Sequence, residues 1–213
     1  GLSSDVDKIK KIANKHNLKI ISDNAQAPYS FYKKKLAGTH FDIGGFSLNT
    51  HKHIQTGEGG VLLTNDDNLA DRMRLIRNHG EAVVMDRKTK NINNIIGYNF
   101  RMGEIEATIG IEQLKKLKNI VNFIFKKANI FNNELNNLSG LKLPKIDKGN
   151  THIYYYYAMQ IDNKKIGNIR DKIHKHLINE NVPVFKNYSL LHLLPMYQKK
   201  IAFGTKGHPW NKS

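Results

Sequence analysis

The stretch Phe41 to Gly60 constrains this chain most. Its first part, Phe41 to Leu48, is short and mostly apolar, as a buried strand is. A single lysine follows, Lys52, set between His51 and His53, and then the turn Gly57-Glu58-Gly59-Gly60. A lysine just past a buried strand is placed to lose water, and a desolvated amine is a candidate Schiff-base nucleophile. Taken alone, Lys52 reads more readily as a surface lysine in a loop. What decides between the two is whether other segments supply the partners that a reactive amine needs.

The flanking segments predict an α/β sheet. Ser4 to Asn17 reads as an amphipathic helix, with Val6, Ile9, Ile12 and Ala13 at helical spacing and Ser4 with Asp7 resembling a capping box. Leu18 to Ser22 is a short apolar strand ending at Asp23. In such sheets ligands bind beyond the carboxyl ends of the strands. Asp23-Asn24-Ala25-Gln26-Ala27 is therefore a candidate site, although an aspartate after a strand also makes local turns.

Gly60 to Thr64 predicts another strand. A helix follows from Asn65-Asp66-Asp67 to about His79, with Leu69, Met73 and Ile76 inward and Gly80 as its left-handed cap. Glu81 to Asn94 is a polar loop without pattern. A long helical run extends from about Glu104 to Asn137, as one bent helix or two. Its expected apolar face is Ile105, Ile109, Leu114, Leu117, Val121, Ile124, Ala128 and Phe131. Ile153 to Ile161, with its tyrosine run, predicts a strand, and Ile166 to Asn181 a helix. The expected domains are residues 1–125 and 126–213.

Composition narrows the classes. The chain has 213 residues, 39% of them hydrophobic, enough for one large domain or somewhat more. No run approaches the roughly 18 apolar residues of a membrane span. There is no signal-peptide pattern and no cysteine, so a cytoplasmic protein without disulfides or thiolate metal sites is expected. The net charge of +16 is spread in twos and threes of lysine, which reads as a solvated surface. The alternative is a basic nucleic-acid-binding protein without enzymatic activity. His51 and His53 lack a third ligand at metal spacing, so no metal site is expected.

Three features agree with one another: Asp23 at a strand end, Ser47 followed by Lys52, and Asn99 ahead of a long helix. Pyridoxal phosphate chemistry needs an amine for the cofactor aldehyde, an acid against the pyridinium nitrogen and small donors at the phosphate. Several segments resemble those of the DegT/DnrJ/StrS sugar aminotransferases. They are Ile21-Ser-Asp-Asn-Ala-Gln-Ala27, Gly44-Gly-Phe-Ser-Leu-Asn-Thr-His-Lys52, Thr56-Gly-Glu-Gly-Gly60, Arg74-Leu-Ile-Arg-Asn-His-Gly80 and Gly97-Tyr-Asn-Phe-Arg-Met102.

The resemblance implies the aspartate aminotransferase fold, here as an incomplete large domain plus part of a smaller α+β C-terminal domain. It implies pyridoxal 5'-phosphate as cofactor, with Lys52 as its Schiff-base lysine and Asp23 as the pyridinium partner. Gln26 is then expected by the ring hydroxyl and Ser47 on the phosphate. Asn99 is expected on the phosphate of a neighbouring subunit's cofactor, hence a homodimer with shared active sites. Tyr188 and His192 resemble the substrate-side segment. The implied reaction moves an amino group from an amino acid such as glutamate to a keto-sugar nucleotide. Some family members carry histidine at the lysine position and act as dehydratases, so Lys52 argues for transamination. Members normally begin well before the segment matching Gly1, with a Ser-Gly-Thr phosphate loop and a residue stacking on the cofactor ring. The expectation is accordingly a fragment that holds the lysine but lacks part of the cofactor cradle.

Overall fold

A computed structural model describes residues 1–81, 95–186, 188–202 and 207–212. Most of the expected loop Glu81 to Asn94 lies outside the described residues. The chain divides into two compact units, Gly1–Gln160 and Ile161–Ser213. The expected boundary at 125/126 falls inside a helix that packs with the first unit, and the division comes after Gln160 instead.

The first unit opens with α1 (Val6–Lys15), which turns Val6 and Ala13 inward and leaves Ile12 59% exposed. Its cap is Asp5, whose carboxylate accepts the Lys8 N–H at 3.2 Å, and not the expected Ser4. Asp7, the other half of the expected capping box, pairs with Lys33.

Three strands form the sheet beside this helix, in the order β1 (Ile21–Asp23), β4 (Ile43–Ser47) and β5 (Gly60–Leu63). β1 and β4 run parallel with Asp23 opposite Gly45. β4 and β5 run antiparallel with Ser47 opposite Gly60. Gly44 and Gly38 let two backbones touch: a Cβ on Gly44 would stand 2.0 Å from the Gly38 carbonyl oxygen. That contact seats the turn Ala37–Thr39 directly on the central strand.

Between β1 and β4 lies a hairpin that the sequence pattern does not announce, β2 (Phe31–Tyr32) and β3 (Lys35–Leu36). Its two turn residues, Lys33 and Lys34, are both left-handed, at φ 48° and 67°. That is the geometry of a tight hairpin, adopted without the usual glycine or asparagine. Contacts with 150–151 hold it: Phe31 N–H donates to Thr151 Oγ1 at 2.7 Å, and Lys33 N–H to Asn150 Oδ1 at 3.0 Å.

α2 (Asp67–Arg77) is capped by Asp66, which accepts from the N–H groups of Asn68 and Leu69. Gly80, at φ 78°, returns its N–H to the Leu75 carbonyl and ends the helix in the left-handed region. The buried residue of α2 is Leu75, while the expected stripe of Leu69, Met73 and Ile76 is half-buried. α3 (Glu104–Leu135) is one unbroken helix of 32 residues. Its core contacts are Leu117, Val121 and Ala128, and Ile105, Ile109, Leu114 and Phe131 from the expected apolar face are exposed. Periodicity chose a face correctly at the middle of α3 and could not say that its outer positions stay uncovered among the described residues.

The core cluster is Leu48, Ile54, Leu117, Val121 and Ile153, with Tyr29, Met102, Ile120 and Phe125 packed against it. Leu48 and Ile54 flank Lys52 in sequence, so both ends of the lysine loop are buried in one cluster. The expected strand Ile153 to Ile161 is confined to Gln160–Ile161. Upstream, Tyr154 sits at φ 49°, which breaks extended geometry, and its ring stacks on His152 with centroids 4.2 Å apart.

The second unit holds α4 (Asn163–Ile166), α5 (Arg170–Asn179) and α6 (Pro195–Gln198). The expected helix Ile166 to Asn181 is broken at Gly167, which is left-handed at φ 75° and splits it into α4 and α5. None of its described residues is buried. Among the described residues, no helix is long and apolar enough to cross a membrane.

Candidate active site

The carboxyl ends of β1 and β4 lie side by side because the strands are parallel neighbours. Asp23 ends β1, exposed, and accepts the Ala25 N–H through one oxygen at 2.9 Å. Asn24 beside it is buried; its N–H donates to the Gly45 carbonyl at 2.8 Å and its amide to the Ser22 carbonyl at 2.9 Å. These bonds fix the direction of the chain as it leaves the sheet. Gln26 follows, half-buried, ahead of the buried Ala27.

On β4, Ser47 lies two residues past the partner of Asp23, about 7 Å further along the strand direction. Its hydroxyl accepts the Asn49 N–H at 3.2 Å. Asn49 then organises the lysine loop. Its carbonyl accepts the Lys52 N–H at 2.9 Å, its Oδ1 accepts the His51 N–H at 3.2 Å, and its amide donates to Glu58 at 2.7 Å. The loop closes where Thr56 N–H meets the Leu48 carbonyl and Leu48 N–H meets the Gly59 carbonyl, both at 2.8 Å. Gly59 is required by space, since a Cβ there would stand 2.7 Å from Thr56 Oγ1 and 2.9 Å from Met102 Cε.

Lys52 is half-buried in this loop and has no carboxylate partner among the described residues. Its Nζ stands 5.0 Å from the centroid of the Tyr155 ring, a cation–π contact. His53 lies beside the same tyrosine, its ring centroid 5.9 Å from that of Tyr155. Its Nε2 is 2.9 Å from the Ile153 carbonyl oxygen, so Nε2 carries the hydrogen and Nδ1 is bare. Nδ1 is buried with no hydrogen-bond partner among the described residues. Burial holds the imidazole below its usual range, opposed in part by the bond to Ile153, with Lys52 nearby adding to the lowering. His51 is exposed, and among the described residues no group of histidine and carboxylates is disposed to hold a metal.

Asn99 lies on a different segment. Its backbone bridges to Asn78, and its exposed side chain makes no hydrogen bond among the described residues. Tyr188 and His192 belong to the second unit and are exposed there. Within the first unit, then, the fold brings together the strand ends bearing Asp23 and Ser47 and the loop bearing Lys52. Asn49 and Tyr155 are site residues that sequence reasoning passed over. Asn49 carries a local signal, an asparagine two residues before a turn N–H; Tyr155 carries none, being distant in sequence.

An amine free of carboxylates, a carboxylate with one oxygen unengaged among the described residues and a hydroxyl, all at or just past the carboxyl ends of adjacent parallel strands, fit a phosphorylated pyridine aldehyde. The amine suits its aldehyde, the acid its ring nitrogen and the hydroxyl its phosphate. The fold is that of the aspartate aminotransferase-like enzymes. The chain belongs to the DegT/DnrJ/EryC1/StrS aminotransferase family, whose model matches residues 1–207.

Among its relatives, the spore coat polysaccharide biosynthesis protein SpsC of Bacillus subtilis is 30% identical over 98% of this chain and 56% of that protein. GDP-perosamine synthase of Caulobacter vibrioides is 32% identical over 92% of this chain and 52% of that protein. A solved structure, the E. coli GDP-4-keto-6-deoxy-D-mannose-3-dehydratase with bound hydrated PLP, superposes with a TM-score of 0.72. It is 27% identical, over 85% of this chain and 49% of that one. The chain spans about half the length of the curated relatives it matches.

Proposed function

We propose that this chain carries the cofactor-anchoring part of a pyridoxal 5'-phosphate-dependent aminotransferase that acts on a keto-sugar nucleotide. The observation that carries the reading is Lys52: a half-buried amine without a carboxylate partner among the described residues, beside two strand ends that supply an acid and a hydroxyl. Relatives named for nucleotide-sugar amination support the substrate class.

Lys52 would hold the cofactor's aldehyde through its amine, Asp23 the ring nitrogen, Gln26 the ring hydroxyl side and Ser47 the phosphate. The bound cofactor supplies an electron sink for the pair left at the substrate's amine-bearing carbon. Asp23 would keep the ring nitrogen protonated for that purpose. The Lys52 amine would take the proton from that carbon as general base and return it as acid. Asn99, its amide unengaged among the described residues, would reach the cofactor phosphate of a neighbouring subunit, so a homodimer with shared sites is part of the proposal. Tyr188 and His192 would lie toward the substrates, an amino-acid donor such as glutamate and the nucleotide sugar. A cytoplasmic location suits those substrates.

The test is to add pyridoxal phosphate, reduce with borohydride and map the adduct. A reduced adduct on Lys52 supports the reading; saturation of other lysines with Lys52 unmodified overturns it.

A further inference from the structure

Three observations around Lys52 belong together. Its Nζ lies over the Tyr155 ring at 5.0 Å. The adjacent His53 is bonded through Nε2 to the carbonyl of Ile153, which is fully buried, two residues before Tyr155 in the chain. The His53 ring itself lies 5.9 Å from the Tyr155 ring. The lysine loop and the tyrosine segment are therefore fastened by one hydrogen bond that spans 100 residues of sequence.

The tyrosine segment lies in no named strand; its start is held by the Ile153 N–H on the Gly1 carbonyl at 2.8 Å and by a bridge between His152 and Leu2, and the His53 bond adds the tie to the lysine loop. Tyr154 is left-handed at φ 49°, and the His152 ring accepts the Tyr154 N–H at 2.9 Å. Backbone in that conformation persists where its surroundings over-determine it. The His53 bond to Ile153 is one such determinant, and it comes from the residue next to Lys52.

We propose that Tyr155 is a positioning residue for the Lys52 amine, and that His53 sets it in place through the hydrogen bond from Nε2 to Ile153. The aromatic face gives the ammonium group a seat where no carboxylate stands among the described residues, and so holds the side chain in one direction without an ion pair that a ligand would have to break. A cation over an aromatic ring is favoured by a factor of about 2 to 30 over one in water. The catalytic meaning of this seat rests on the proposed role of Lys52; the seat itself does not.

The test uses an amine reagent unrelated to the cofactor, trinitrobenzenesulfonate, with labelling of Lys52 followed by peptide mapping at fixed pH on the full chain. Tyr155→Leu is expected to label at Lys52 about threefold or more faster than the parent, with Tyr155→Phe within about twofold of it. Tyr155→Met fills the same space without a ring and is expected to match Tyr155→Leu. His53→Leu is expected to reproduce the acceleration. His53→Gln, whose amide reaches as far as Nε2 and donates, is expected to restore the parent rate. Parent-like labelling in both His53→Leu and the two non-aromatic Tyr155 variants overturns the proposal. So does His53→Gln labelling as fast as His53→Leu. Failure of the cofactor reading shows separately, as absence of a borohydride-reduced adduct on Lys52 of the parent chain.

Discussion

Arg101 donates through Nη1 to Asn78 Oδ1 at 2.6 Å, and Asn78 is only 8% exposed. The same two segments are joined by backbone bonds from His79 to Tyr98, Tyr98 to Ile76 and Phe100 to Arg77. Arg101 therefore satisfies a buried amide at the place where the segment bearing Asn99 crosses the end of α2.

Arg101→Ala leaves that amide oxygen buried without its donor. The expected loss is about 1–3 kcal/mol, read as a lower urea midpoint with unchanged slope. Arg101→Lys is expected to recover part of it, since an ammonium group can donate but lacks the planar fork.

Lys52→Ala is expected to abolish the reducible cofactor adduct while costing no more stability than its contact with Tyr155 supplies, about 0.5–2 kcal/mol. The fold is held by Leu48 and Ile54 on either side of the lysine and not by its amine. An adduct of undiminished yield in this variant would refute Lys52 as the anchor.

His152 gives the chain an acid-sensitive element. Burial, with the Gly1 amine as a lesser cause, lowers its pKa from 6.5 to about 4. Below about pH 6.5 the unfolded chain takes up a proton that the folded chain refuses until about pH 4. Stability therefore falls as pH drops through that window. His152→Asn keeps an acceptor for the Tyr154 N–H but cannot titrate, so its denaturation midpoint is expected to vary less between pH 6.5 and 4.

Gly44→Ala tests the backbone contact under the sheet. The new methyl would fall 2.0 Å from the Gly38 carbonyl oxygen and 2.8 Å from its carbon, neither of which can swing aside as a side chain can. A loss of about 2–3 kcal/mol in thermal or urea unfolding is expected. Gly45→Ala, whose Cβ would meet nothing closer than 3.5 Å, serves as the control and is expected to cost about 1 kcal/mol or less.

The features legible in the sequence are those with local causes. The strands ending at Asp23 and Ser47 show as apolar runs with polar stops. α2 shows by Asp66 before it and Gly80 after it. The hairpin at Lys33-Lys34 was hidden because its left-handed turn is built from lysines, held by contacts with Asn150 and Thr151 far along the chain. The tyrosine run read as a strand because aromatic residues favour strands. The His152 contact to the Tyr154 N–H accompanies a left-handed turn that composition cannot foretell. Asp23, Ser47 and Lys52 could be picked out by type and spacing. The groups that steer Lys52, Asn49 and Tyr155, act through geometry that only the fold supplies.

The lysine loop is pinned by Leu48 and Ile54 in one core and closed by backbone bonds at Leu48, Thr56 and Gly59. Nothing in that frame uses the Lys52 side chain. Position 52 is thus an interchangeable mount: the frame decides where a functional group stands, and the residue placed there decides what chemistry it does.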